Sequence, residues 1–423
     1  MLNKKFQFLI IIGLFILVNA VSYFTQFQTD LFGGKGYDGS IYYSIAEQFV
    51  NGQKLTGPPP YIYRIGTPFL VSVISGNNLM QGFYIANFVA NFLSTILLFY
   101  FLSLYLKNFK VIIIIILLFL THWLGNIRFL YYYPALNDYW GLVFLLLGLI
   151  IIEKLKYNNS LIFIILLSIV SFIGIFFREY LIVIPFAALF SSNPLSRKNL
   201  FYLDIRKLFR NRLLLFIPIA ACISGIMIIR IITNTETEGE YFFPIAIYWM
   251  YNKSLIQYLT GLFIATGPAI VLLIFFYKDV FRFLSKNQSF CLILIYSLVL
   301  CYIGGSDTER FILWFIPIIL LVLGVVIEKN LEIFKNTLIL SLLIIFQCLA
   351  NRVFFLTPLL DTEGGLKFPI LTVIGNRSFL DLFSFHGSYK FEFVLFVEYC
   401  FVLVMLLMIL DYFYFKKYKK NNF

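Results

Sequence analysis

The sequence predicts an all-α integral-membrane protein: a polytopic bundle of about twelve transmembrane helices, built as a single domain over residues 1–423. Three observations predict it. Of the 423 residues, 61% are hydrophobic and 13% are charged, whereas a soluble domain carries about 25% charge. Apolar runs recur along the whole chain, many near the roughly 20 residues that cross a bilayer. The basic residues gather between alternate runs, as the positive-inside rule requires.

The runs fall at 6–24, 81–106, 111–125, 139–152, 160–177, 180–192, 213–232, 256–277, 288–303, 311–327, 337–351 and 393–415. The first follows Lys4 and Lys5 and lacks a small-x-small cleavage site, so it reads as a retained helix. Several middle runs are short, as in tilted, re-entrant or protein-buried segments. Residues 65–74 are apolar but too short to span, and read as a dip into the interface. Lys107 and Lys110, Lys154 and Lys156, the 197–212 cluster, Lys278, Arg282 and Lys286, and Lys416 to Lys420 share one side. That side is the cytoplasm, which puts both termini inside and makes the chain a multi-pass protein of the plasma (inner) membrane. The longer loops, 25–80, 233–255 and 352–392, then face outward.

This asymmetry accounts for the net charge of +12 without a nucleic-acid partner. The inner loops are too short for a nucleotide-binding domain, and neither a P-loop nor a strand-borne GxGxxG occurs. The five cysteines lie in or beside apolar runs without a CxxC, which suits packing rather than a disulfide framework or zinc site. His122 and His386 are isolated. His122, next to Trp123, reads as an interfacial side chain, and no metal site is expected.

Charge-bearing outer segments carry whatever chemistry the chain performs. Asp38 stands in Gly36-Tyr37-Asp38-Gly39. After it, Ile41, Tyr42, Ile45, Ala46 and Phe49 recur at helical spacing opposite Ser44, Glu47, Gln48 and Asn51, the pattern of an amphipathic helix on a membrane surface. Asp38 is either a cap or turn residue or a general base beside the bilayer. Arg64 follows Pro58-Pro59-Pro60 and is flanked by Tyr61 and Tyr63. It reads as part of an interfacial Arg and Tyr belt or as a fork for phosphate oxygens. Asp138 ends Tyr131-Tyr132-Tyr133-Pro134-Ala135-Leu136-Asn137-Asp138, as a helix cap or as the acid of a polar pocket. Arg178-Glu179 separates two apolar runs, as an ion pair at a tight turn or as costly membrane-edge charge kept for function. In Gly304-Gly305-Ser306-Asp307-Thr308-Glu309-Arg310, Asp307 is a candidate cap for the next helix. Arg310 in that helix's first turn opposes the dipole, which points to an anionic partner.

Together these segments resemble the GT-C superfamily of integral-membrane glycosyltransferases, bacterial type. The matching parts are Tyr37-Asp38-Gly39 with Tyr42 through Ala46, Tyr63-Arg64-Ile65 with Pro68, and the Asp307 to Arg310 turn followed by Pro317. The resemblance implies an enzyme of cell-envelope polysaccharide biosynthesis. It would move a hexosyl or pentosyl group from a polyprenyl-phosphate carrier to an acceptor at the outer face. It also implies Asp38 as the base, Asp138 as a second acid, and Arg64, Arg178 and Arg310 as phosphate ligands, with Tyr63, Glu179 and Asp307 in the same substrate-binding set. No cofactor is implied. The sequence lacks the DxD of some branches, which leaves a divalent-metal requirement open. It also lacks a large outer domain, which favours a glycan or lipid acceptor over a folded protein.

Two alternatives stand beside this. An O-antigen-type polymerase would concentrate polar residues in one late outer loop, here 352–392 with Arg352, Arg377 and His386. A lipid-linked glycan flippase or transporter would show repeats, broken helices and charges deep in spans, of which only Arg230 gives a sign.

Overall fold

The computed structural model of the chain describes residues 3–26, 28–29, 32–76, 78–122, 125–158, 160–192, 213–235, 242–305, 308–351 and 389–421. The fold is all-α apart from one short parallel ribbon, in which Leu55–Gly57 pairs with Thr233–Thr235. Four helices are long and apolar enough to cross a membrane: Lys4–Thr25, Leu79–Ser103, Leu213–Ile232 and Phe396–Tyr414. Two bent pairs, Tyr277–Lys286 with Gln288–Ile303 and Thr308–Trp314 with Ile316–Lys329, raise this to six.

The described residues therefore show fewer spanning helices than the twelve apolar runs suggest. For four of these runs the difference lies in length. Phe109–Leu120 and Leu255–Thr266 each have 12 residues, and Leu161–Gly174 and Thr337–Ala350 each have 14. At about 1.5 Å per residue such helices rise roughly 20 Å, short of a hydrocarbon core of about 30 Å. Gly267, at φ +63, stops the Leu255–Thr266 helix, and a new one begins at Ile270. The expected 256–277 span is thus two helices.

Two compact units can be distinguished along the chain. One compact unit holds Met1–Phe101, Asn126–Pro244 and Phe283–Ser297, and the other Leu102–Gly125, Ile245–Arg282 and Leu298–Phe423. Apolar composition is even along the chain, so no linker-like stretch marks the division.

In the first unit the expected outer loop, 25–80, is a folded cap. Its amphipathic pattern forms the Tyr37–Val50 helix, with Tyr42, Ile45 and Ala46 buried and Ser44 and Glu47 exposed. A strand follows at Leu55–Gly57, then a single 3-10 turn at Tyr61–Tyr63. Residues 65–74, apolar and too short to span, hold the Gly66–Ile74 helix. Tyr42, Ile45, Ile62, Ile65 and Val71 form one core with Leu79, Phe83 and Ala86 of the next helix and with Ala135. Burying each aliphatic side chain there contributes about 2 kcal/mol, which fixes the cap on its underlying helix. Residues 233–255, expected as loop, instead hold the Thr233–Thr235 strand and the Phe242–Asn252 helix.

Candidate functional site: two crossed ion pairs beside Asp38

Four of the sequence-marked segments lie in the first unit. The cap brings Asp38 and Arg64, the start of the Asp138–Tyr157 helix brings Asp138, and the turn after Leu161–Gly174 brings Arg178 and Glu179.

Asp38 is not the cap of its helix. Gly36 holds that position at φ 73, and Asp38 follows in the first turn, where a carboxylate is stabilised by the helix dipole. A Cβ on Gly36 would lie 2.0 Å from the Tyr133 ring, and one on Gly39 2.9 Å from Ala135. Glycine at both positions lets the start of the helix press against Tyr133-Pro134-Ala135. The Gly39 amide donates to Tyr133 Oη at 3.4 Å. Asn87 Nδ2, from the Leu79–Ser103 helix, holds the same loop through the carbonyls of Pro134 at 2.7 Å and Leu136 at 2.9 Å.

Arg178 and Glu179, adjacent in sequence and read either as an ion pair at a turn or as charge kept for function, each pair with a different residue and form two crossed ion pairs. Glu179 accepts from Arg64 Nε, which lies 2.9 Å from both carboxylate oxygens. Arg178 Nη2 pairs with Asp138 Oδ1. The pairs differ in exposure: Arg178 is 1% exposed and Asp138 7%, whereas the Glu179 side chain is 40% open and that of Arg64 13%. The first is an interior contact and the second a rim contact. Asp138 is the first helical residue, after Asn137 at the cap position. Gly141, one turn on, leaves room for Arg178, since a Cβ there would come within 2.9 Å of Arg178 Cγ.

Arg64 also donates from Nη1 to Tyr42 Oη at 3.0 Å, with the Tyr61 ring 5.6 Å from its guanidinium carbon. Burial pulls the Arg64 pKa down, but the Glu179 carboxylate and Tyr42 outweigh it and hold the pKa above its ordinary value. The fork therefore stays cationic. Arginine has five N–H donors, and the bonds to Glu179 and Tyr42 leave Nη2 for a further acceptor. Burial raises the Tyr42 phenol pKa, with opposing pull from Arg64 and Arg178 and a further push from Asp38. All three charges thus act at one hydroxyl. Tyr63, half-buried, packs against both the cap core and the cluster of Ile175, Cys222 and Ile229.

Sequence reasoning missed Asn137. Its Nδ2 donates to the carbonyl of Arg64 at 2.8 Å and of Phe177 at 3.3 Å, and the Gly66 amide donates to Phe176 O at 2.8 Å. Asn137 thus joins the residues that carry both arginines. Asn137→Ala is expected to cost about 2 kcal/mol, because two buried acceptors lose a donor. Thermal unfolding checks this, and Asn137→Asp, which cannot donate as a carboxylate, is expected to fare no better. A legible but unread signal was the polar stripe of Asn87, Asn91, Ser94 and Thr95 on an otherwise apolar helix, all buried.

The remaining candidates lie elsewhere. Arg310 sits in the first turn of Thr308–Trp314, in the second unit. Asp307, Arg352, Arg377 and His386 lie outside the described residues. His122, expected at an interface, is buried, with Nε2 2.7 Å from the Ala265 carbonyl beside the Gly267 break. It edges a small cavity lined mainly by aliphatic side chains such as Leu118 and Leu320, with Gln347 and no acid. Among the described residues no three His, Cys, Asp or Glu side chains gather as for a metal ion.

Compared with known proteins, the chain matches no family model and no curated protein.

Proposed function

We propose that the chain is a GT-C-like membrane glycosyltransferase. It transfers a sugar from a polyprenyl-phosphate carrier to a glycan or lipid acceptor at the outer face of the membrane. The observation that carries this reading is that Tyr42, one helical turn from Asp38, holds Arg64 through its hydroxyl while Arg64 also pairs with Glu179, which brings together segments far apart in sequence. A transfer site needs an acid-base group and a cation on one open rim, and Asp38 and Arg64 provide them. In the proposed step the acceptor oxygen attacks the anomeric carbon and the bond from that carbon to the phosphate oxygen breaks. The carrier phosphate leaves with the electron pair, held by Arg64, and the acceptor proton passes to Asp38. Glu179 keeps Arg64 extended until a phosphate engages Nη2. Asp138 and Arg178, both sealed, brace this rim from below. The twelve-span, termini-inside topology belongs to the same proposal.

The test is transfer by the purified chain in lipid, given a panel of radiolabelled polyprenyl-phosphate sugars and a crude glycolipid acceptor pool. Label reaching the acceptor supports the reading.

A second reading, a lipid-linked glycan transporter, is favoured by the two bent helix pairs and the break at Gly267. Broken helices are a common feature of transporter sites. Movement of a fluorescent lipid-linked glycan across vesicles, without any transfer, would put that reading first.

A further inference from the structure

The Tyr277–Lys286 helix has no part in the site above. Its ten residues form one element with none buried. Lys278, Arg282 and Lys286 recur every fourth position, so they form one stripe, and all three are exposed. Tyr277, Val280, Phe281 and Leu284 occupy the opposite arc. Tyr277 is 61% and Phe281 56% exposed. The one acid, Asp279, is answered by Lys329 Nζ at 2.8 Å and Arg282 Nη1 at 3.4 Å, with Asn330 Nδ2 at 3.5 Å. The stripe is therefore net positive. The helix turns through 114° into the apolar Gln288–Ile303 helix, so it runs across that helix rather than along it.

A basic stripe backed by exposed aromatics, set crosswise to an apolar helix, is the form of an interfacial lipid-binding element. We propose that this helix binds the headgroups of anionic phospholipids in the bilayer, with Lys278, Arg282 and Lys286 on phosphate and Tyr277 and Phe281 among the acyl chains. A soluble acidic partner would engage the stripe but leave both rings in water. Zwitterionic headgroups offer phosphate without net charge, so the preference is for anionic over zwitterionic lipid.

The test uses the full chain in bilayers of phosphatidylcholine with and without phosphatidylglycerol, followed by repurification and native mass spectrometry of retained lipid. Wild type is expected to retain phosphatidylglycerol over phosphatidylcholine. K278Q/R282Q/K286Q is expected to lose this preference by about tenfold or more, with unfolding temperature unchanged, while K278R/R282K/K286R keeps it. Equal retention by wild type and the glutamine variant would overturn the proposal. So would loss in the charge-conserving variant, because charge would then not be what binds. Retention competed away by soluble glycerol phosphate would overturn the lipid assignment in favour of a soluble anion.

Discussion

Asp38→Asn is expected to leave the chain folded and to lower sugar transfer by about 10²–10⁴-fold, the usual contribution of a general base. Asparagine has nearly the shape of aspartate, and Asp38 is only partly buried in the first turn of its helix. Gly36 fills the cap position instead, so loss of the carboxylate costs the helix only its dipole interaction, about 0.3–1 kcal/mol. The loss should therefore fall on turnover and spare stability. The measurement is transfer of radiolabel from the polyprenyl-phosphate donor, wild type beside variant, with the unfolding temperature of each. Equal transfer by both would remove Asp38 from the chemistry and turn attention to Glu179, the other partly open acid. A large drop in unfolding temperature would show that Asp38 holds the cap together instead.

The sequence made this cap legible in part. The helical spacing from Ile41 to Phe49 predicts the Tyr37–Val50 helix, and the structure buries its apolar face as that spacing demands. Of the charged residues singled out in the first unit, Arg64 meets Glu179 and Arg178 meets Asp138. Their pairing was not legible, because which acid answers which arginine depends on how Asn137 and the Phe176-Phe177 backbone set the loops. Adjacent residues 178 and 179 point to different partners, since the backbone at Arg178 is extended while a 3-10 turn begins at Glu179. The number of spans was legible only in part, for a different reason. Hydropathy measures how apolar a run is, whereas crossing a bilayer also needs an unbroken helix. Gly267 divides one apolar run into pieces too short to cross.

The Asp138–Arg178 pair should give the largest stability effect. Arg178→Met alone is expected to destabilise the chain by about 3–5 kcal/mol, because it leaves the Asp138 carboxylate buried without its cation. Asp138→Leu alone should cost as much, since a buried guanidinium cannot shed its proton. The double variant, Arg178→Met with Asp138→Leu, removes both charges and their desolvation together. It is expected to lie within about 1–2 kcal/mol of wild type, as when buried pairs are replaced by apolar side chains. Thermal unfolding of the four proteins in one detergent measures the coupling. Additive losses would mean that the two side chains do not depend on each other, contrary to their contact in the fold. Transfer by the double variant then separates bracing from chemistry. If the pair only braces the rim, restored stability brings restored transfer. If Asp138 is also the second acid of the reaction, the double variant folds and stays inactive, and its loss persists when stability no longer explains it.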